Sequence, residues 1–398
     1  MRVSLLLLAA CGTSSSPAAP DSGSVDAGPD APAAVPMIRV HYPVAGHTIT
    51  LRTDADWNTD LVGAVSGDEV DFVAPASYAE FKVLLDGVWS LGPNYHARGD
   101  VWPRFSTTTG QVVTLVRDFH STLLGNDRSI YAYLPPSYAE NTDATFPVVY
   151  IHDGQNLWAA LPDLAFSVPW NVDTAFDAAA NTGVCSDGAL VGWQAAPLGG
   201  TPTTCTGDGD CASGSCETFP EAIVIGVANT DARIYEYTPT TDPTTPGGGG
   251  ADGYVQMLTS ELKPQIDQML RTQPDPAATA LAGSSLGGLV TAYAATTAGD
   301  TFTRFAELSP STWWNADWIV PTVAAQGASA PHQFIYVDSG SGDADDEADT
   351  DMLAATYEGL GCVDGAQYHH VVQEGATHSE VYWAQRFPGA MQLILGAR

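Results

Sequence analysis

The stretch Gly283-Ser284-Ser285-Leu286-Gly287-Gly288 decides how this chain is read. It follows an apolar run over residues 278–282 and opens a helix-like segment over 289–297. A G-x-S-x-G sequence between strand and helix sets a serine on a sharp, strained turn, and the small neighbours let strand and helix close around it. Ser285 is then presented at the carboxyl end of a parallel sheet. The bland alternative is a glycine-rich turn, since the pattern is short and the chain holds 39 glycines. Three further segments bear on the choice.

Composition narrows the partners. Hydrophobic residues make up 44% of the 398, enough for a substantial core. The net charge is −32, and the only lysines are Lys82 and Lys263. Such a chain repels nucleic acid and anionic membrane surfaces, so no nucleic-acid partner is expected. The acidity reads as general solvation rather than as a metal site.

The first residues, Met1-Arg2-Val3-Ser4-Leu5-Leu6-Leu7-Leu8-Ala9-Ala10-Cys11, combine one positive charge, a short apolar run and small residues before a cysteine. This reads as a secretory signal with a lipobox, with Cys11 as the acylated residue. Residues 12–36 are Ser, Ala, Pro, Gly and Asp with almost no large apolar groups, which predicts a disordered tether. The expected location is that of an exported bacterial lipoprotein, in the outer membrane, periplasm or cell surface. The membrane is met only through the lipid anchor.

Export makes disulfides plausible. Cys185, Cys205, Cys211 and Cys216 lie in a Gly/Asp/Thr-rich insertion, residues 183–217, and allow three pairings. Cys362 is left over and reads as a buried thiol. No histidine lies in the cluster and its C-x5-C-x4-C spacing does not suit zinc, so no metal is expected.

Residues 37–117 have a β pattern. Ile38, Val40 and Tyr42 alternate with polar positions, as do Phe81, Val83 and Leu85, and Asp86-Gly87 follows as a turn. Further strands are expected at 47–52, 69–73 and 111–116. This predicts a small all-β sandwich. Through Phe81-Lys82-Val83-Leu84, Trp89, Asn94 and Tyr95 it resembles the starch- or glycogen-binding type, which implies carbohydrate contact. Trp57, Trp89 and Trp102 are the candidate sugar-stacking rings, with core packing as the bland alternative for each.

Residues 118–398 alternate between strand and helix. Strands are expected at 129–134, 147–151, 222–227, 278–282, 304–308, 333–338 and 367–372. Helices are expected near 173–181, 253–271, 286–298, 350–359 and 379–394. Apolar strand runs separated by helices imply an α/β domain with a mostly parallel sheet covered on both faces. Ligands meet such sheets at the carboxyl ends of the strands, and every candidate below falls at such an end.

A serine esterase needs a base, an acid that orients the base, and donors for the oxyanion. His378 follows the last apolar strand and precedes the last helix, and reads as the base. His369 and His370 compete but lie inside a strand. The acid comes from the loop after 334–337, where Gly340 and Gly342 favour Asp343, with Asp338 and Asp345 as alternatives. The backbone N–H of Leu286, next to the nucleophile, is one oxyanion donor. The other is that of Gln155, which Gly154 aims into the site after the strand ending in Tyr150-Ile151. The side chains of His152 and Asp153 read as loop braces.

Tyr150-Ile151-His152-Asp153-Gly154-Gln155-Asn156-Leu157-Trp158 resembles the corresponding block of the "putative-esterase" family of α/β-hydrolases, which includes enterochelin esterases, feruloyl and acetyl-xylan esterases and mycolyltransferases. So do Val224-Ile225-Gly226-Val227-Ala228-Asn229 with Arg233 and Glu236-Tyr237, Glu261-Leu262-Lys263-Pro264-Gln265-Ile266-Asp267, and Leu308-Ser309-Pro310-Ser311 with Trp313-Trp314. The resemblance implies the α/β-hydrolase fold, a serine-ester mechanism and no cofactor. The family's acid is often Glu, so an Asp here departs from it, as do the cysteine-rich insertion and the loop at 239–253.

Trp158, Trp170, Trp313 and Trp314 fall in loops at the expected catalytic face and are the candidate aromatic wall of a substrate site, with core packing as the alternative for at least half. Arg233 is a candidate partner for a substrate anion or for Glu236. The reading is a secreted serine carboxylic-ester hydrolase acting on a small-molecule or glycan-linked (acetyl or feruloyl) or polymeric ester. A siderophore esterase, an acyltransferase with the same triad and a non-catalytic binding lipoprotein are the rival readings.

Overall fold

The computed structural model describes residues 37–75, 77–96, 99–181, 183–185, 205, 207–211, 216–326, 333–365 and 367–396. The signal, Cys11 and the tether, together with much of the 183–217 segment, lie outside them.

The chain opens with eight short strands: β1 (Met37–His41), β2 (Ile49–Thr53), β3 (Asp56–Val62), β4 (Ala64–Ser66), β5 (Glu69–Val73), β6 (Phe81–Leu85), β7 (Val88–Trp89) and β8 (Gly99–Val101). They form two four-stranded sheets, ordered β4-β5-β1-β8 and β3-β2-β6-β7. Alternation does the sorting. Ile38, Val40, Val70 and Phe72 of one sheet meet Ile49, Leu51, Phe81 and Val83 of the other in one buried cluster. Arg39 points outward and is held by Asp71 at 2.7 Å. Trp57, Trp89 and Trp102 stay out of that cluster. Trp102 stacks on His41 at 4.5 Å, and Trp57 meets Trp89 edge-on at 6.1 Å.

The second unit is built on an eight-stranded sheet. Its strands are β9 (Gln111–Ser121), β10 (Asn126–Leu134), β11 (Val148–His152), β14 (Ile223–Val227), β15 (Thr279–Ser285), β16 (Arg304–Pro310), β17 (Phe334–Gly340) and β18 (Tyr368–Gln373), with β12 (Gly183–Cys185) and β13 (Cys216–Thr218) forming a separate ribbon. The order is β18-β17-β16-β15-β11-β14-β10-β9. The six strands from β14 to β18 run parallel, and β10 is antiparallel to both its neighbours. The strand expected at 111–116 therefore belongs to the large sheet and not to the sandwich. It pairs forward with β10 through a turn at Gly125.

Successive residues of the central strands are buried on opposite faces, which is why these strands read as continuous apolar runs. Val148 and Tyr150 join one core, Val149 and Ile151 the other. The helices are α1 (Val172–Asn181), α2 (Arg233–Tyr237), α3 (Ala251–Met257), α4 (Lys263–Met269), α5 (Leu286–Thr297), α6 (Ile319–Ala324), α7 (Glu347–Gly359) and α8 (Glu380–Gly396). The helix expected over 253–271 is interrupted by a π turn, Leu258–Leu262, just ahead of Pro264. Among the described residues, no helix is long and apolar enough to cross a membrane.

Glu140 joins the two units. It accepts hydrogen bonds from Tyr42 Oη at 2.9 Å and from the backbone N–H of Phe105 at 2.8 Å and of Ser106. Buried Arg104 reaches across to Ala180 O at 3.0 Å and Asn181 Oδ1 at 2.6 Å. Cys205 and Cys216 form a disulfide, and Cys211 and Cys362 are disulfide-bonded as well. The free thiol expected at Cys362 is thus absent.

Candidate active site

Ser285 ends β15 with φ 58° and ψ −125°, a backbone region that costs a non-glycine residue on the order of 1–3 kcal/mol. Such strain persists only where the surroundings impose it, here by packing the turn between the sheet and α5. The turn lifts the hydroxyl out of the strand toward the loop after β18. Ser285 Oγ lies 2.8 Å from His378 Nε2. His378 Nδ1 lies 2.8 Å from Asp345 Oδ1. Asp345 is 1% exposed, and its second oxygen accepts from Ser309 Oγ at 3.0 Å and from the Gly340 N–H.

The carboxylate at His378 is therefore that of Asp345. Asp343, the expected acid, is exposed on the same loop. Gly340 brings the loop in, though not in the way expected. A Cβ there would stand 2.2 Å from Ala376 O, so its lack of a side chain lets the β17 and β18 loops close on each other and carries Asp345 past Asp343. Asp338 is also buried but serves Arg386, with an ion pair at 2.9 Å, and burial pushes its carboxyl above the usual range.

Leu286 is the first residue of α5, where a backbone N–H has no intrahelical acceptor. Gln155 lies in the turn after β11, with its side chain accepting from Asn229 N at 3.2 Å. The left-handed conformation of that turn belongs to Asp153, at φ 55°, and not to Gly154. Gly154 serves close approach instead, since a Cβ would sit 2.2 Å from the Gly226 carbonyl carbon. Asp153 is braced by Arg233 through two hydrogen bonds of 2.8 Å and by Asn229 at 2.5 Å. His152 donates or accepts at Tyr254 Oη, 2.9 Å away, and burial pushes its imidazole down to about 3, so it is neutral.

Several expected substrate residues are elsewhere. Trp158, Trp170 and Trp314 are buried in the cores, and only Trp313 of the four is exposed. Arg233 is engaged by Asp153, while Glu236 pairs with buried Arg128 at 2.7 Å. Three residues at the site were not singled out from the sequence: Trp383, whose ring meets His378 edge-on at 4.9 Å, Arg386, and Ser311, whose Oγ is 3.4 Å from Ser285 Oγ. Trp383 and Arg386 sit in a helix that reads as plain packing, although a buried-facing Arg just after the candidate histidine was a usable signal. Glu80, His96 and Asp208 are the one set among the described residues whose ligand atoms approach within 4.8 Å of one another. They lie on the sandwich and the cysteine-rich segment and take no part in this site.

A hydroxyl bonded to an imidazole, itself bonded to a buried carboxylate, can act as an activated nucleophile without a metal or cofactor taking part. Residues 206–394, just under half of the chain, match the family described as "Putative esterase". The chain is 21% identical over 280 residues to the uncharacterized protein YbbA of Bacillus subtilis, covering 68% of this chain and 93% of that one. It is 34% identical over 84 residues to the siderophore triacetylfusarinine C esterase of Aspergillus fumigatus, covering 21% of this chain and 28% of that one. It is 32% identical over 115 residues to the siderophore enterobactin esterase of Emericella nidulans, covering 25% and 38%. This chain is an α/β-hydrolase-type serine esterase, and a small β domain precedes its hydrolase unit.

Proposed function

We propose that the protein hydrolyses a siderophore-type carboxylic ester through an acyl-enzyme on Ser285. The hydrogen-bonded chain Ser285–His378–Asp345 carries the catalytic half of this reading. Ser285 Oγ attacks the ester carbonyl carbon while its proton passes to His378 Nε2. Asp345 holds the ring and compensates the imidazolium. The N–H groups of Leu286 and Gln155 receive the oxyanion, each worth roughly 3–4 kcal/mol of transition-state stabilisation. The leaving alcohol takes the proton from His378. Water then attacks the acyl carbonyl, its proton goes to His378, and the acyl–Ser285 bond breaks as His378 Nε2 returns that proton to Ser285 Oγ.

The names of the two fungal relatives support the substrate class, over short segments of their length. They favour it over the glycan-linked ester implied by the starch-binding resemblance. That second reading keeps one observation of its own, the outward-facing Trp57–Trp89 pair with Arg52 lying over Trp89 at 5.1 Å. In either case the enzyme is held to a membrane by a lipid at Cys11.

The test is hydrolysis of a p-nitrophenyl ester series, acetate to octanoate plus ferulate, beside a catecholate siderophore lactone, by wild type and Ser285→Ala. Activity on the lactone that exceeds every p-nitrophenyl ester and vanishes in Ser285→Ala supports the proposal. A preference for acetate or ferulate returns the reading to glycan-linked esters, and undiminished activity in Ser285→Ala overturns the mechanism.

A further inference from the structure

The surroundings of Asp345 form a closed polar unit made from three strands and a helix. Ser309, at the end of β16, has φ 38°, a left-handed conformation for a residue with a side chain. β16 slips register against β15 at this point, between Ser284 and Ser285. Two donors aim at the Ser309 hydroxyl: Trp383 Nε1–H at 3.0 Å and Arg386 Nη2–H at 2.6 Å. A hydroxyl has two lone pairs and one proton. With both lone pairs taken, its proton has one acceptor left, Asp345 Oδ2 at 3.0 Å. The direction of every bond in the unit is thereby fixed.

Arg386 is what anchors it. The side chain is 4% exposed and reaches Asp338 Oδ2 at 2.9 Å, Gln373 Oε1 at 3.1 Å and Asp345 Oδ2 at 3.7 Å. Asp338 in turn accepts the Ser309 N–H at 3.0 Å. One guanidinium thus stands between two buried carboxylates, only one of which faces His378. Its pairing with Asp338 accounts for one charge, and the other remains on Asp345 opposite the imidazole.

We infer that Ser309 and Arg386 are positioning residues for the triad acid. They lock the Asp345 carboxylate so that one oxygen is spoken for and the other is presented to His378 Nδ1, with Asp338 as counter-ion of the lock. The inference rests on the proposed triad. A carboxylate that accepts several hydrogen bonds is held in one orientation, and orientation of the base is the contribution of the acid in such a triad. The contacts of Ser309 and Arg386 run to Asp345, Asp338, Trp383 and Gln373 rather than to Ser285.

The experiment compares kcat, KM and the pH profile of kcat/KM for Ser309→Ala, Ser309→Thr, Arg386→Lys and Asp345→Asn on a p-nitrophenyl ester. Ser309→Ala is expected to lower kcat about tenfold with KM unchanged, and to displace the acid limb of the profile as the carboxylate facing the imidazole loses a donor and its fixed orientation. Ser309→Thr, which keeps the hydroxyl, is expected to recover most of kcat and the wild-type limb. Arg386→Lys is expected to shift the limb in the same direction as Ser309→Ala. A wild-type kcat in Asp345→Asn would overturn the triad on which the inference rests. A severe loss in Asp345→Asn together with wild-type kcat and acid limb in Ser309→Ala would overturn the inference alone. Should Arg386→Lys fail to fold, the Ser309 pair decides.

Discussion

Ser311 sits over Ser285, the proposed nucleophile, with two contacts: its backbone N–H donates to Ser285 O at 3.0 Å and its Oγ lies 3.4 Å from Ser285 Oγ. When the Ser285 proton points to His378, the Ser311 hydroxyl is the donor of the pair. That bond gains as the nucleophile develops negative charge. One such bond is worth about 1 kcal/mol, so Ser311→Ala is expected to lower kcat by about fivefold without raising KM. Steady-state kinetics on a single ester check this, and an unchanged kcat would mean that the pair is only packing.

The acid can be assigned by comparing two carboxylates on one loop. Asp345→Asn is expected to cut kcat by about 10⁴, because an amide can favour the wrong imidazole tautomer. Asp343→Asn, an exposed change, is expected to stay within about twofold of wild type, as surface substitutions away from such features usually do little. The two variants measured side by side, with matched thermal stability, separate the roles.

Glu307 lies in β16 fully buried, with one oxygen bonded by Tyr357 Oη at 2.7 Å and the other without a hydrogen-bond partner. Burial pushes its carboxyl from 4.5 up to about 8. The folded state therefore holds a proton that the unfolded chain releases near 4.5. The stabilisation is complete below pH 4.5 and is lost as pH rises toward about 8. Glu307→Gln keeps the neutral form at every pH. Its Tm is expected to fall less than that of wild type between pH 5 and about 8, as read by thermal scans across that window.

His152 works in the opposite direction. Burial holds it neutral, with its pKa pushed from 6.5 down to about 3, while the unfolded chain binds a proton near 6.5. Its contribution is present above pH 6.5 and is lost as pH falls toward about 3. Because the ring adjoins the Asp153 turn and bonds Tyr254, acid is expected to loosen that turn early. His152→Asn is expected to flatten the acid side of the Tm–pH curve, at a lower Tm near neutrality from the lost packing.

The parts legible in the sequence are those that local pattern determines. β11 and β14 are buried on both faces, so their apolar runs could be read directly, and the elbow and His378 sit at strand ends that such runs define. The choice among Asp338, Asp343 and Asp345 was not local. It depends on Ser309 arriving from the neighbouring strand and on Ala376 O closing against Gly340, neither of which the acidic loop encodes. Three of the four tryptophans turn inward for a related reason. Loop position predicts proximity to the site, but whether a ring turns outward or inward depends on the cavity beneath, and Gly226 leaves room for Trp158 to turn in. β9 was divided wrongly because its alternation continues the sandwich pattern, while its partner comes after it in the chain.

Glu140 gives the sandwich a bearing on the esterase that its own surface does not reveal. Donors from Tyr42, Phe105 and Ser106 all end on that one carboxylate of the hydrolase unit. Cutting the chain between the units would not yield a smaller enzyme with a clean edge. A cut after residue 106 would behave as several mutations made at once, stripping a carboxylate of its donors and Asn181 of its guanidinium partner.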